Sequence, residues 1–281
     1  MLVREWIAKT QSRLKSLEIQ SPLLEAQMLA AHAVGVDRTW LFAHPESNFP
    51  ESLGNVLLER RAAGEPLAYI LGWREFYGRR FGVDPSVLIP RQETETLIEA
   101  ALRHFPANPN PIETSQISVL DLGTGSGILA ITLKLERPDW EVTAIDISAD
   151  ALSTASANAK FLQANVKFVL SDAFDSLLGE SYDLIVSNPP YIGRSESLPD
   201  EVAKFEPKLA LFADDHGYAF YKMLADQSSN YLTDGGVLIL EVGHTQAQKV
   251  TEIFLSRSWT PFDETRDLSG TLRVLGFRYE F

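Results

Sequence analysis

The residues whose types and spacing could do chemistry are Ser187-Asn188-Pro189-Pro190-Tyr191. The preceding run, Tyr182-Asp183-Leu184-Ile185-Val186, has the apolar and β-branched character of a buried strand. Neither proline has an N–H to give to a central sheet, so the chain must leave the sheet here. Each proline also holds the residue before it in extended conformations. The spacing predicts a stiff loop at the carboxyl end of a strand, where open α/β sheets bind their ligands. Asn188 Oδ1 and the Pro189 carbonyl are acceptors for the two hydrogens of a planar NH₂ group, against which Tyr191 can pack. Such a nitrogen is a poor nucleophile because its lone pair is delocalised. Acceptors aimed at its hydrogens stabilise the positive charge that develops during attack. Adenine, cytosine and a glutamine side chain all fit that description. For Asn-Pro-Pro alone, a purely structural turn is the competing reading.

Three more strand ends fall into register with this loop. From Ile117 onward the pattern alternates strand and helix, and it predicts a doubly wound parallel α/β sheet. The first strand, Val119-Leu120-Asp121-Leu122, runs into the turn Gly123-Thr124-Gly125-Ser126-Gly127. Glycines let the backbone approach a ligand, and the helix that follows offers free N–H groups. A dinucleotide fingerprint would place its last glycine where Ile128 stands. Asp146 closes the second strand, where an acidic residue binds ribose hydroxyls. Asp172 ends the third, placed to accept from an adenine amino group, with Ala173 beside it. Any one Asp could be a helix cap; four coincident strand ends argue for a site.

The rest of the chain frames this domain. Residues 1–65 read as a helical domain: Leu2, Trp6, Ile7, Leu14 and Leu17 recur at helical spacing, Ser21-Pro22 starts a second helix, and Gly35 stops it. Trp40-Leu41-Phe42 reads as a short apolar turn. The segment carries seven Lys/Arg and eight Asp/Glu, so the acidity lies downstream. It is either a packing cap or a surface for a partner. Residues 66–111 read as a hairpin turning near Gly78, a helix through His104 and a proline-rich linker from Pro106 to Pro111. Residues 112–281 form the catalytic domain, ending in a helix and two strands. A net charge of −13 disfavours bare nucleic acid as a partner. No apolar run reaches the ~18 residues of a membrane span, no cysteine is present, and the five histidines have no metal-ligand spacing. A cytoplasmic monomer without a metal is the expectation.

The Gly-x-Gly-x-Gly turn after an Asp resembles the nucleotide loop of S-adenosylmethionine-dependent methyltransferases. More specifically, the chain resembles the release factor glutamine methyltransferase (PrmC/HemK) family along nearly its full length. The likeness rests on Pro66 to Gly72, Phe76, Phe81, Val87-Leu88-Ile89-Pro90-Arg91, Glu93-Thr94-Glu95, the glycine turn, Asn188 to Tyr191, Phe205-Glu206-Pro207 and Arg266-Asp267-Leu268. Asn-Pro-Pro-Tyr is shared with adenine methyltransferases; the Pro90-Arg91 and Phe205-Glu206-Pro207 stretches are more specific. The resemblance implies methylation of the glutamine in the Gly-Gly-Gln motif of class-1 release factors, with the helical domain helping to dock them. It implies S-adenosylmethionine as cofactor, leaving as S-adenosylhomocysteine, held by Gly123, Thr124, Gly125, Ser126, Gly127, Asp146, Asp172, Ala173 and Asn188. Asn188, Pro189, Pro190 and Tyr191 would hold the substrate, with Asn188, Pro189 and Tyr191 in the chemistry. Two departures stand out: Gln92 replaces a usual proline, and Ala173 replaces an aromatic found in some members, a stacking role Phe174 could take. A glutamine methyltransferase acting on a ribosomal protein, an adenine-N6 methyltransferase and a non-catalytic S-adenosylmethionine-binding module are the alternatives.

Overall fold

The computed structural model describes residues 1–106 and 116–280, so most of the expected Pro106–Pro111 linker lies outside the described residues. The chain forms two compact units, Met1–Trp73 with Leu198–Phe205, and Arg74–Ser197 with Glu206–Phe281.

The first unit is helical: α1 (Val3–Ser16), α2 (Pro22–Val34), α3 (Arg38–Ala43), α4 (Glu51–Ala62) and α5 (Leu67–Leu71). Helix α1 buries Val3, Trp6, Thr10 and Leu14, a three-to-four spacing that lays one face into the core. Trp6 is fully buried there, stacked on Phe49 with ring centroids 4.4 Å apart. Helix α2 starts at Pro22 and ends at Gly35, which takes the left-handed conformation at φ 77°. Arg61 is buried between Glu25 (2.6 Å) and Glu201 (3.2 Å), which ties residues 198–205 to this unit. Two local readings are corrected. Trp40-Leu41-Phe42 is helical, because Asp37 accepts the Trp40 N–H at 2.8 Å and caps α3. Tyr69-Ile70-Leu71, grouped by texture with the hairpin, is a helical turn between Pro66 and a left-handed Gly72.

In the second unit, β1 (Trp73–Phe76) and β2 (Arg79–Gly82) make the expected hairpin. Helix α6 (Glu95–His104) follows. Then come β3 (Ser118–Leu122), α7 (Ile128–Glu136), β4 (Glu141–Asp146), α8 (Ala149–Leu162), β5 (Lys167–Leu170) and β6 (Tyr182–Ser187). An excursion holds β7 (Ile192–Gly193), α9 (Asp200–Phe205, in the first unit), α10 (Lys208–Leu211) and β8 (Phe212–Ala213). The chain ends with α11 (Ala219–Gln227), β9 (Leu232–Glu241), α12 (Ala247–Leu255), β10 (Trp259–Arg266) and β11 (Leu272–Tyr279).

Seven strands form one sheet in the order β10-β11-β9-β6-β3-β4-β5. Pairing is parallel from β9 to β5, and β11 is antiparallel to both its neighbours. Leu184, Ile185, Val186 and Ser187 of β6 are fully buried, as a strand covered on both faces must be. Separate apolar clusters form the cores: one gathers Leu97, Ile131, Val142 and Val186, the other Ile185, Tyr221, Leu240 and Phe254. Strand order reverses between β3 and β6. The glycine turn after β3 and Asn188 after β6 therefore flank the crevice that this topology opens.

Candidate active site

A cavity of about 540 Å³ opens at the carboxyl ends of β3, β4, β5 and β6. Gly123, Thr124, Gly125, Ser126, Asp146, Asp172, Ala173, Asn188 and Pro190 line it. Leu122, Ile145, Ile147, Phe220 and Met223 supply apolar wall, and Arg194 and Asp214, paired with each other, also line it. Gly127, Pro189 and Tyr191 are not on that surface.

The glycine turn is held by the carboxylates around it. Asp121 is fully buried; its Oδ2 accepts from the Thr124 hydroxyl at 2.6 Å and from the Ala130 N–H at 3.1 Å, joining the turn to the start of α7. Burial pushes the Asp121 carboxyl up to about 7, against those two hydrogen bonds, which lower it. Asp146 accepts the Gly125 N–H at 2.9 Å with one oxygen and the Ser148 N–H at 2.9 Å with the other. Each oxygen keeps a second lone pair for a ligand. Gly127 serves packing: at φ 84°, a Cβ there would stand 2.7 Å from Ile131 Cδ1. Asn158 of α8 completes the frame, donating to the carbonyls of Gly82 (3.0 Å) and Ser126 (2.9 Å) and accepting the Gly82 N–H at 2.7 Å.

At the end of β6, Asn188 Nδ2 donates to Thr94 Oγ1 at 3.2 Å. Thr94 is fully buried, and its hydroxyl also bonds the Glu241 carboxyl. The amide hydrogens of Asn188 thus face Thr94, and Oδ1 is the end left for the cavity. The Tyr191 carbonyl accepts from Gln246 Nε2 at 2.8 Å. Burial, with a contribution from Glu241, pushes the Tyr191 hydroxyl up to about 12, so it stays protonated and is no base. Phe174 does not reach the cavity. It is 1% exposed and stacks on Tyr231 at 4.5 Å, so it cannot stand in for an aromatic beside Ala173.

With this geometry in view, the comparisons with known proteins are informative. The family model for the PrmC N-terminal domain matches residues 5–72, and that for the methyltransferase small domain matches residues 99–205. A release factor glutamine methyltransferase from Koribacter versatilis is 41% identical over 281 residues, 98% of each chain. The chain belongs to the release factor glutamine methyltransferase family. Another member, from Escherichia coli, is 38% identical over 99% of both chains. A methyltransferase crystal structure from Pyrococcus furiosus shares the fold, with a TM-score of 0.53 at 16% identity over 82% of this chain and 98% of that one.

The two segments that most specifically mark this methyltransferase family meet in the structure. Arg91 Nη2 lies 2.6 Å from Glu206 Oε1, and Glu206 Oε2 accepts the Ile89 N–H at 3.1 Å. The Glu206 side chain is 1% exposed, so the loop carrying Arg91 is clamped through a charge-assisted pair. Sequence reasoning did not single out Asp121, Thr94 or Glu241. Asp121 had a local signal, an acidic residue next to the turn. Thr94 and Glu241 lie 94 and 53 residues from Asn188 and meet only on folding.

Proposed function

We propose that this chain transfers a methyl group from S-adenosylmethionine to the side-chain amide nitrogen of the glutamine in the Gly-Gly-Gln motif of class-1 release factors. The observation that carries this reading is the Asn188 amide, its hydrogens turned to Thr94 and its oxygen left to the cavity beside the glycine turn. The residues present suit the cofactor. Gly123 and Gly125 leave open space where side chains would stand, and Asp146 and Asp172 bring acceptors between apolar walls. S-adenosylmethionine, when bound, supplies a methyl group on a sulfonium and departs as S-adenosylhomocysteine.

In this reading Gly123 to Gly127 hold the methionine portion, Asp146 accepts from the ribose hydroxyls, and Asp172 with Ala173 borders the adenine. Asn188 Oδ1 and the Pro189 carbonyl each take one hydrogen of the glutamine amide. That orients the nitrogen and stabilises the charge it gains as its bond to the methyl carbon forms. The electron pair of the breaking carbon–sulfur bond stays on sulfur, and the extra nitrogen proton leaves to water. Mass spectrometry of the Gly-Gly-Gln peptide after reaction with intact release factor should find one added methyl on the glutamine. Methyl transfer to a ribosomal protein or to DNA adenine, with none to the release factor, would overturn the assignment.

Asp146→Ala is expected to weaken S-adenosylmethionine binding by about tenfold or more, because hydrogen bonds to a charged acceptor are each worth about 1.5–3 kcal/mol. The substitution also frees the Gly125 N–H that Asp146 holds. Calorimetry reporting unchanged affinity would remove Asp146 from the ribose site.

The helical unit is proposed to dock the release factor. Phe42 is 64% exposed and borders a groove with Ile7, Leu23 and Leu41. Phe42→Glu is expected to lower kcat/KM for intact release factor and leave that for a short Gly-Gly-Gln peptide unchanged. Equal activity of variant and parent on the intact factor would place docking elsewhere.

A further inference from the structure

Glu241 closes β9 one strand away from the Asn188 loop, with 2% exposure. A carboxylate so buried costs free energy unless it is paired. The cations near it are committed elsewhere: Arg273 to Asp267 at 2.8 Å and Arg91 to Glu206 at 2.6 Å. Among the described residues Glu241 Oε2 makes no hydrogen bond, and no ion pair reaches the carboxylate. Its side-chain partner is Thr94, whose hydroxyl in turn receives the Asn188 amide. A structural glutamate would be expected to hold an ion pair. This one ends a chain of two hydrogen bonds that leads to the atom facing the cavity.

We propose that Glu241 is a positioning residue that, through Thr94, fixes which end of the Asn188 amide faces the substrate. The logic is one of donors and acceptors. An ionised Glu241 can only accept, so the Thr94 hydrogen points at it. Thr94 Oγ1 then offers lone pairs alone toward Asn188, and only Nδ2 can face it. Oδ1 must face the glutamine amide. When Glu241 is protonated it can donate to Thr94. The Thr94 hydrogen is then free to turn to Asn188, and the flipped amide, which presents Nδ2 to the substrate, becomes equally satisfied. The flipped amide cannot accept the substrate's hydrogens. The inference rests on the reading of Asn188 as the acceptor in methyl transfer.

Protonation of Glu241 is within reach of ordinary conditions. Burial pushes its carboxyl up to about 7; the Thr94 hydrogen bond and the charges of Arg273 and Arg91 pull it down, and Glu93 pushes it up. Tyr191 and Tyr221 also face it, both with hydroxyls raised by burial and so neutral. Tyr221 donates to the Glu241 backbone carbonyl at 3.2 Å and leaves the carboxylate alone.

The test is single-turnover methyl transfer to release factor at saturating S-adenosylmethionine, across pH 5.5–8.5, for the parent, Glu241→Gln, Thr94→Val and Thr94→Ser. The parent rate should rise with pH through a limb near 7, as the carboxylate forms. Glu241→Gln and Thr94→Val should each lower the rate constant at pH 8 by about tenfold, the weight of one hydrogen bond to a charged group. Both should lose the limb, with S-adenosylmethionine affinity and melting temperature close to the parent's. Thr94→Ser, which keeps the hydroxyl, should restore rate and limb together. In an Asn188→Ala background, Glu241→Gln should cost nothing further, because the residue through which it acts is gone. If Glu241→Gln keeps the limb, or costs the same factor with and without Asn188, the positioning role is wrong while the assignment of Asn188 stands. An unimpaired Asn188→Ala overturns both.

Discussion

Asn188→Ala should slow methyl transfer by roughly 10²–10³-fold, the typical cost of removing one pre-organised polar contact to developing charge. The melting temperature should barely move. Thr94 loses its Asn188 partner but keeps Glu241, so no buried hydroxyl is left unpaired. S-adenosylmethionine binding should change far less than the rate, since the glycine turn and Asp146 remain in place. That split between binding and turnover distinguishes a residue used in the transition state from one that only shapes the cavity. Asn188→Asp makes the complementary case. It restores an acceptor oxygen but cannot donate to Thr94, whose single hydrogen must now serve two carboxylates, the introduced one and that of Glu241. The Asn188→Asp variant should therefore fall between parent and Asn188→Ala, recovering some activity as falling pH protonates one of the two. Near-normal turnover in Asn188→Ala would take Asn188 out of the mechanism.

Much of this site could be read before any coordinates because it is built from strand ends. Asp146, Asp172 and Asn188 each follow a run of β-branched and apolar residues, and a parallel sheet aligns such ends on one edge by its own register. β3 pairs with β4 and β6, which brings Asp121 level with Ala144 and Val186. What stayed hidden depends on packing between segments far apart in sequence. Phe174 beside Ala173 looked available for stacking on a ligand. A positive φ of 43° at Ala173 bends the backbone, and Phe174 turns into the core against Tyr231. Thr94 and Glu241 carried no local pattern at all, since their relation to Asn188 is made by the third dimension. The excursion from Ile192 to Ala213 also escaped notice. Its helices are four to six residues long and its strands two, too short for a hydrophobic period to emerge.

Gly217→Ala should be nearly as damaging to turnover as Asn188→Ala, although Gly217 is absent from the cavity lining. Gly217 has φ 89° and lies against the back of the Asn188 loop. A Cβ there would overlap the Tyr191 carbonyl oxygen and stand 2.9 Å from Gln246 Nε2, the group that holds that carbonyl. Backbone cannot be turned aside like the end of a flexible side chain, so the Tyr191 segment must shift or Gly217 must move out. Either change carries Asn188 and Pro189 away from their places, and misplacement by about 1 Å can cost 10²-fold. The left-handed backbone alone accounts for only about 1–2 kcal/mol. Gly235→Ala isolates that smaller cost: Gly235 has φ 78°, and a Cβ there would meet nothing within 4 Å. The expected outcome is a modest fall in melting temperature for Gly235→Ala with full methyl transfer. For Gly217→Ala we expect a larger fall, with turnover reduced by about 10²-fold. Thermal melting and single-turnover assays on the two proteins side by side decide it. Equal activity in the pair would mean that the loop tolerates displacement and that the tight contact behind Tyr191 serves stability alone.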